Sequence, residues 1–268
     1  MDRGGCRMSG GGGDGGGDMI TLDDLESMSE DLEDLEPQEN GDEEPENEEQ
    51  DNRLLRYWTD VARGHQVEVP TDMAQPIQQI TSNNDGTHTR EEVPYTLLTR
   101  KEKCGEVLYE KRCYEKAHWA CITVHEDTYE QSICYGFMKI MRFICHQNSA
   151  GTYLGMTIPI VTVVRTDDTQ STISRAVTVA YYLSEPYQGN PPAAEDPDIV
   201  IEHWPSTIVY TRAFTGATNE LSIVREIRSL AEALENPQLC LSDSFIIAGY
   251  TNPAAANRRN EIWFLERP

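Results

Sequence analysis

The sequence predicts an α+β domain in which two curled sheets share one core and each half carries a helix. Three observations predict it. Strand-like alternation sets in near Pro94 and runs to the C-terminal end. Two longer segments between the strands repeat apolar residues at helical spacing. The same order of elements then occurs twice, as expected of an internal duplication.

The first strand pair, Tyr109-Glu-Lys-Arg-Cys-Tyr-Glu-Lys-Ala-His-Trp-Ala-Cys-Ile-Thr-Val124, aligns without gaps on Ile199-Val-Ile-Glu-His-Trp-Pro-Ser-Thr-Ile-Val-Tyr-Thr-Arg-Ala-Phe214. A helix and two further strands follow each copy. These strands are Met156–Val164 and Ala176–Leu183 in the first half, and Phe245–Tyr250 and Glu261–Leu265 in the second. The result is two ββαββ halves with eight core strands and two helices, and about 175 residues suffice to enclose such a core. The Pro- and Gly-rich connection from Glu185 to Asp198 joins the halves and is expected to border a cleft. His118 and His203 each precede a Trp but do not coincide in the alignment, so both read as ordinary strand residues.

The first helix is predicted from Thr128 to His146. Ile133, Phe137, Ile140 and Ile144 recur at i, i+4, i+7 and i+11, a single stripe that seats a helix on a sheet. Beside it runs a second edge rich in sulfur: Cys134, Met138, Met141 and Cys145. Gln131, Arg142, Tyr135, His146 and Lys139 come next round the wheel, so the sulfur edge passes into a cationic, hydrogen-bonding face. Such a surface suits a flat, apolar, anionic ligand. Its bland alternative is that Met and Cys simply fill core gaps. The second helix, about Thr218 to Glu235, serves as a control. It repeats the packing stripe with Ile223, Ile227, Leu230 and Leu234, but carries Val224, Arg228, Ala231 and Glu235 where the first helix has its sulfur edge. Only the first helix is over-apolar.

Charge is unevenly distributed. The chain of 268 residues has a formal net charge of −24, and residues 1–52 hold 19 Asp and Glu against 2 Arg. That Gly-rich, acidic segment cannot bury enough apolar area to offset its ordering entropy and is expected to be disordered. Within it, Leu22, Leu25, Met28, Leu32 and Leu35 have the spacing of a short helix. Residues 53–92 read as a short helix, with an apolar patch from Leu54 to Val61, followed by a linker over 66–92 that contains Pro70 and Pro76. Residues 93–268 form the folded domain. The acidic balance argues against nucleic acid and anionic membranes as partners, and no stretch is long and apolar enough to span a bilayer. Seven cysteines, an odd number without paired metal spacing, read as reduced thiols in a cytoplasmic protein.

Several runs resemble the SOUL haem-binding proteins in order and spacing. They are Tyr109-Glu-Lys-Arg-Cys-Tyr114, the Phe137-to-Phe143 helix core, Gly155-Met-Thr-Ile-Pro-Ile160, Asn190-Pro-Pro with Asp198-Ile-Val-Ile-Glu202, Ala248-Gly-Tyr-Thr-Asn-Pro253 and Arg259-Asn-Glu-Ile-Trp-Phe-Leu265. The resemblance covers about residues 93–267. It implies a distorted β-barrel of two four-stranded antiparallel sheets with two flanking helices and a pseudo-twofold axis. It also implies non-covalent, non-enzymatic binding of haem b or another tetrapyrrole near the first helix. Carried over to this chain, the apolar contacts are Phe137, Ile140 and Met141, beside Met138 on the sulfur edge, with Lys139 and Arg142 near the propionates. Haem iron takes His, Met, Cys or Tyr. His146 at the helix end and Cys113 in the Tyr-Glu-x-Arg-x-Tyr pattern are the axial-ligand candidates, with Met138 and Met141 also within reach of that edge. The alternative reading is a protein-interaction adaptor that recruits a partner through the acidic segment and the Leu54–Val61 patch. Opposite charges further predict that the acidic N-terminus folds over the cationic helix face and shields it.

Overall fold

The computed structural model describes residues 59, 62–82, 90–167, 169–250 and 258–267. The acidic segment 1–52 and, Thr59 apart, the Leu54–Val61 patch lie outside them, and with them the adaptor reading.

Nine strands build one antiparallel sheet. They are β2 (Tyr95–Lys103), β3 (Glu106–Tyr114), β4 (Ala117–His125), β6 (Ile160–Arg165), β7 (Ala176–Tyr182), β8 (Ile199–Trp204), β9 (Thr207–Thr215), β10 (Cys240–Gly249) and β11 (Arg259–Glu266). Their order is β2-β3-β9-β11-β10-β6-β7-β4-β8. The short β1 (Glu91–Glu92) pairs in parallel with β5 (Thr157–Ile158) beside this sheet. The ladder runs unbroken through β6, which pairs with β10 on one side and β7 on the other. One continuous sheet thus stands where two separate four-stranded sheets were expected. β2 adds a ninth strand, joined to β3 by a two-residue turn in which Cys104 and Gly105 both have positive φ, 55° and 87°. That is the turn geometry matched to strand twist in a hairpin.

β3 and β4 follow one another in sequence but do not pair. β3 pairs with β9, and β4 with β8, so each half lends a strand to the other. With β2 set aside, the strand order reads the same from either end once each first-half strand is exchanged for its second-half counterpart.

The helices are α1 (Ala74–Ser82), α2 (Tyr129–Cys145), the single turn α3 (Glu185–Gln188) and α4 (Glu220–Ala233). α2 starts where its capping residues dictate. Thr128 Oγ1 accepts from Gln131 N, and Gln131 Oε1 accepts in return from Thr128 N, both at 3.2 Å. Asn219 and Ser222 cap α4 in the same reciprocal way. α2 packs on β4 and β7 through Ile140, Phe143 and Ile144 against Ala120, Ile122, Val179 and Tyr181. α4 packs on β3, β9 and β11 through Ile223, Ile227 and Leu230. A third cluster is aromatic: Trp119 stacks on Trp204, and Tyr114 on Trp263, at ring separations of 4.7 Å. Residues 71–82, read from their prolines as linker, are helical. A 3-10 turn over Thr71–Met73 leads into α1, whose Pro76 lies in the first turn, where a missing N–H breaks no helical bond.

The motif runs are tied to one another. Arg112 of the first donates from Nη1 and Nη2 to both carboxylate oxygens of Glu261 of the last, at 2.8 and 2.9 Å. Tyr250 Oη and Trp263 Nε1 donate to the same carboxylate, and Glu110 accepts from Arg112 and Arg100. Burial opposes ionisation of Glu110, but the two guanidinium groups outweigh it and hold its carboxyl below the usual value of 4.5. Burial raises the Tyr114 hydroxyl to about 12, with Arg112 pulling the other way. Arg112, Glu110 and Glu261 are buried and partnered, so the runs that carry them lock three strands together.

Two outcomes follow. A Cβ at Gly136 would sit 2.7 Å from Val179 Cγ2. Gly136→Ala should therefore destabilise the protein by about 1–3 kcal/mol through overpacking, against a helix-propensity gain of at most about 1 kcal/mol, as read by urea denaturation. Because the Glu110 pKa is depressed in the folded state, the stability it contributes is present above 4.5 and lost as pH falls through the lower folded value. Between pH 5 and 3, Glu110→Gln should lose less stability than the unaltered chain.

Candidate functional site

α2 presents two apolar faces, and Gly136 decides which one meets the sheet. Lacking a side chain, it lets the helix settle on Val179, so the sheet-facing arc is centred on Gly136, Ile140 and Phe143. Phe137, expected on the packing stripe, lies 100° farther round and packs with the opposite cluster, while Phe143 takes its place against the sheet. Ile140 is wholly interior on the sheet side, away from the sulfur edge.

The sulfur edge does face away from the sheet. Yet Met138, Met141 and Cys145 are only 7%, 1% and 2% exposed. Their cover is the chain's own segment 62–82, which contributes Ala62, Val67, Met73 and Ile77, with Cys134, Tyr135, Phe137 and Tyr153 partly buried at the margin. Polar contacts help to tie it down. Gln131 Nε2 donates to the His65 carbonyl at 2.9 Å, Arg142 Nη2 to Asp72 Oδ1 at 2.6 Å, and the Cys145 thiol to the Pro76 carbonyl at 3.6 Å. Asp72 is 59% exposed, so its ion pair is worth about 0–1 kcal/mol. The expected shielding of this face by the acidic N-terminus falls on residues 1–52, outside the described residues; the acid that meets Arg142 is Asp72.

Both predicted cations are engaged by carboxylates. Lys139 lies 2.6 Å from Asp198 and 3.2 Å from Asp196, at the end of the connection expected to border a cleft. Burial disfavours its charge, but these two acids prevail and raise its pKa. Arg142 keeps one group in reserve. Its Nε is buried with no hydrogen-bond partner among the described residues.

The axial-ligand candidates are set apart. His146 is the exposed C-cap of α2, its N–H donating to the Arg142 carbonyl. Cys113 is on β3, with Sγ 3.5 Å from Ser206 Oγ, whereas α2 packs on β4 and β7. Among the described residues no three His, Cys, Asp or Glu side chains gather as a metal site. Burial raises the Cys134 thiol to about 11, with Glu130 adding to the effect, and burial alone raises Cys145 to about 12. Both stay protonated at neutral pH, and a thiol in that state is a poor iron ligand.

Gly136, Tyr153 and Asp196 were not singled out in the sequence, and neither was the covering segment. Met73 and Ile77, one helical turn apart, were its signal, hidden by Pro70 and Pro76. The sibling helix differs at the surface. A cavity of about 500 Å³ lies on α4, lined in part by Leu221, Val224, Arg225, Arg228 and Glu232.

The sequence profile described as SOUL heme-binding protein matches residues 90–265. The chain belongs to the SOUL heme-binding protein family. It is 29% identical over 174 residues to heme-binding protein 1 of Sus scrofa, which covers 65% of this chain and 91% of the pig protein. To heme-binding protein 2 of Homo sapiens it is 27% identical over 161 residues, 59% of this chain and 78% of the human protein. A putative transcription regulation protein of Staphylococcus aureus shares 9% identity at a TM-score of 0.35, covering 60% of this chain and 98% of that one, too distant to bear on the fold. The SOUL region begins at residue 90, so the segment over the sulfur edge precedes it. What remains of the pig protein outside its aligned 91% is too short to supply a comparable N-terminal extension.

Alkylation at pH 8 should distinguish the thiols of this SOUL protein. Cys104 is exposed in its turn, while Cys145 is buried and its raised pKa leaves little thiolate. Mass spectrometry after iodoacetamide treatment should find Cys104 modified at least tenfold faster than Cys145.

Proposed function

We propose that this protein binds haem, or a related tetrapyrrole, non-covalently on the sulfur-bearing face of α2, as a binding protein and not as an enzyme. The observation that carries this reading is the second apolar face of α2, which the sheet does not use and which is flanked by Lys139 and Arg142. Family membership, with relatives named for heme binding, supports the ligand class. The chemistry fits. Phe137, Met138 and Met141 offer a soft apolar bed, and Arg142 Nε, without a partner among the described residues, supports a donor role toward a propionate. Lys139 can exchange Asp196 and Asp198 for a second carboxylate. With His146 at the helix end and Cys113 on another strand, the porphyrin body carries the affinity in this reading, and iron ligation is secondary.

The free thiols Cys104, Cys113, Cys121, Cys134, Cys145 and Cys240 support a reducing, cytoplasmic location. No helix among the described residues is long and apolar enough to cross a membrane. The exchange-symmetric strand order supports derivation of the two ββαββ halves by duplication, and a sheet of this length with the native twist supports their curling into a distorted barrel.

Hemin titration of the full chain tests the site. A saturable Soret shift is expected, weakened about tenfold by Lys139→Glu, since a lost charge-assisted contact is worth about 1.5–3 kcal/mol and about 1.4 kcal/mol is a factor of ten. Arg225→Glu on α4, beside the other cavity, should leave it unchanged. Binding that never saturates, or that responds only to the α4 variant, places the ligand elsewhere.

A further inference from the structure

We infer that residues 62–82 form a strap that occupies the ligand face of α2 in place of the tetrapyrrole and must swing away for the ligand to bind. The inference rests on the α2 site proposed above and adds the chain's own control of access to it.

The strap imitates the ligand. Val67, Met73 and Ile77 supply an apolar body over Met138, Met141 and Cys145, and Asp72 supplies a carboxylate at its edge to Arg142. An apolar body with a peripheral carboxylate is also what a haem with its propionates would offer the same residues. The strap and the tetrapyrrole therefore cannot occupy the face together.

The attachment is of a kind that can be released. Helix α1 packs chiefly on α2, and the polar ties of the strap include one largely exposed acid and two acceptor carbonyls. None of them enters the buried Arg112–Glu261 network or the sheet ladders that hold the domain. The family region starts at residue 90, beyond the strap. A domain complete without this segment keeps its fold when the segment leaves.

Competition of this kind lowers affinity by the fraction of molecules whose face is free, so apparent Kd equals intrinsic Kd divided by that fraction. A ligand selective for the open form in turn shifts the chain toward it.

The test uses the full chain carrying Met73→Glu and Ile77→Glu, which alter the strap and leave α2 untouched. Three readouts are taken. Without hemin, iodoacetamide should modify Cys145 at least tenfold faster than in the unaltered chain, because the strap no longer shields it. In hemin titrations the same variant should bind at least tenfold more tightly, and saturating hemin should accelerate hydrogen exchange of amides 67–77 in the unaltered chain. Unchanged Cys145 reactivity overturns the strap as a cover. Faster Cys145 reaction with unchanged hemin affinity that remains sensitive to Lys139→Glu overturns the strap alone and leaves the α2 site standing. Failure of hemin to bind either chain overturns the site and the strap together.

Discussion

Gly136 brings α2 nearer to β7 than any side chain would allow, and the rotation of the helix follows from that contact. With residue 136 against Val179, Ile140, Phe143 and Ile144 must turn into the sheet, and Met138, Met141 and Cys145 must turn out. A helix rolled by one residue would bury the sulfur edge in the sheet and leave no second face. The covering segment, the cations and the proposed ligand surface all take their positions from this single approach. The same contact separates α2 from α4, whose outer surface opens on a cavity lined by Arg225 and Arg228.

The buried charge network carries a different duty. Arg112 and Glu110 lie on β3 and Glu261 on β11, with β9 between them, and each carboxylate meets a guanidinium in geometry that an isosteric apolar pair could not reproduce. Buried ion pairs of this type contribute little net stability. What they fix here is register: β3, β9 and β11 can pair only where Arg112 reaches Glu261. The runs that carry Arg112 and Glu261 are thus architectural, while the candidate ligand chemistry sits on the Phe137-to-Phe143 run of α2.

Much of this was legible in the sequence. The start of α2 at Thr128 was legible, and the period of Ile140 and Ile144 marked its sheet face, because helical periodicity is local. The order ββαββ, repeated, foretold the succession of strands. Pairing was not legible: nothing local distinguishes a hairpin of β3 with β4 from the exchange by which β3 joins β9 and β4 joins β8. Phe137 went to the wrong side of the helix because its spacing from Ile133 and Ile144 fits a stripe as well as that of Phe143 does, and only the missing Cβ of Gly136 breaks the tie. The strap stayed hidden for a similar reason. Its prolines carry a strong local signal for linker, whereas Met73 and Ile77 acquire meaning only against a partner surface distant in sequence.

The exchange of strands between halves bears on how the chain reaches this state. Neither half can complete its own hydrogen-bond ladder, because β3 waits for β9 and β4 waits for β8. An emerging polypeptide therefore holds β2, β3, β4, β6, β7 and a finished α2 with open edges until residues beyond 200 have been made. Contacts of such long sequence separation are closed late and slowly, and unpaired edges invite association in the interval. For a chain that must keep a sulfur-rich helix face covered, a cover supplied by residues 62–82 has the merit of timing: it leaves the ribosome before α2 does.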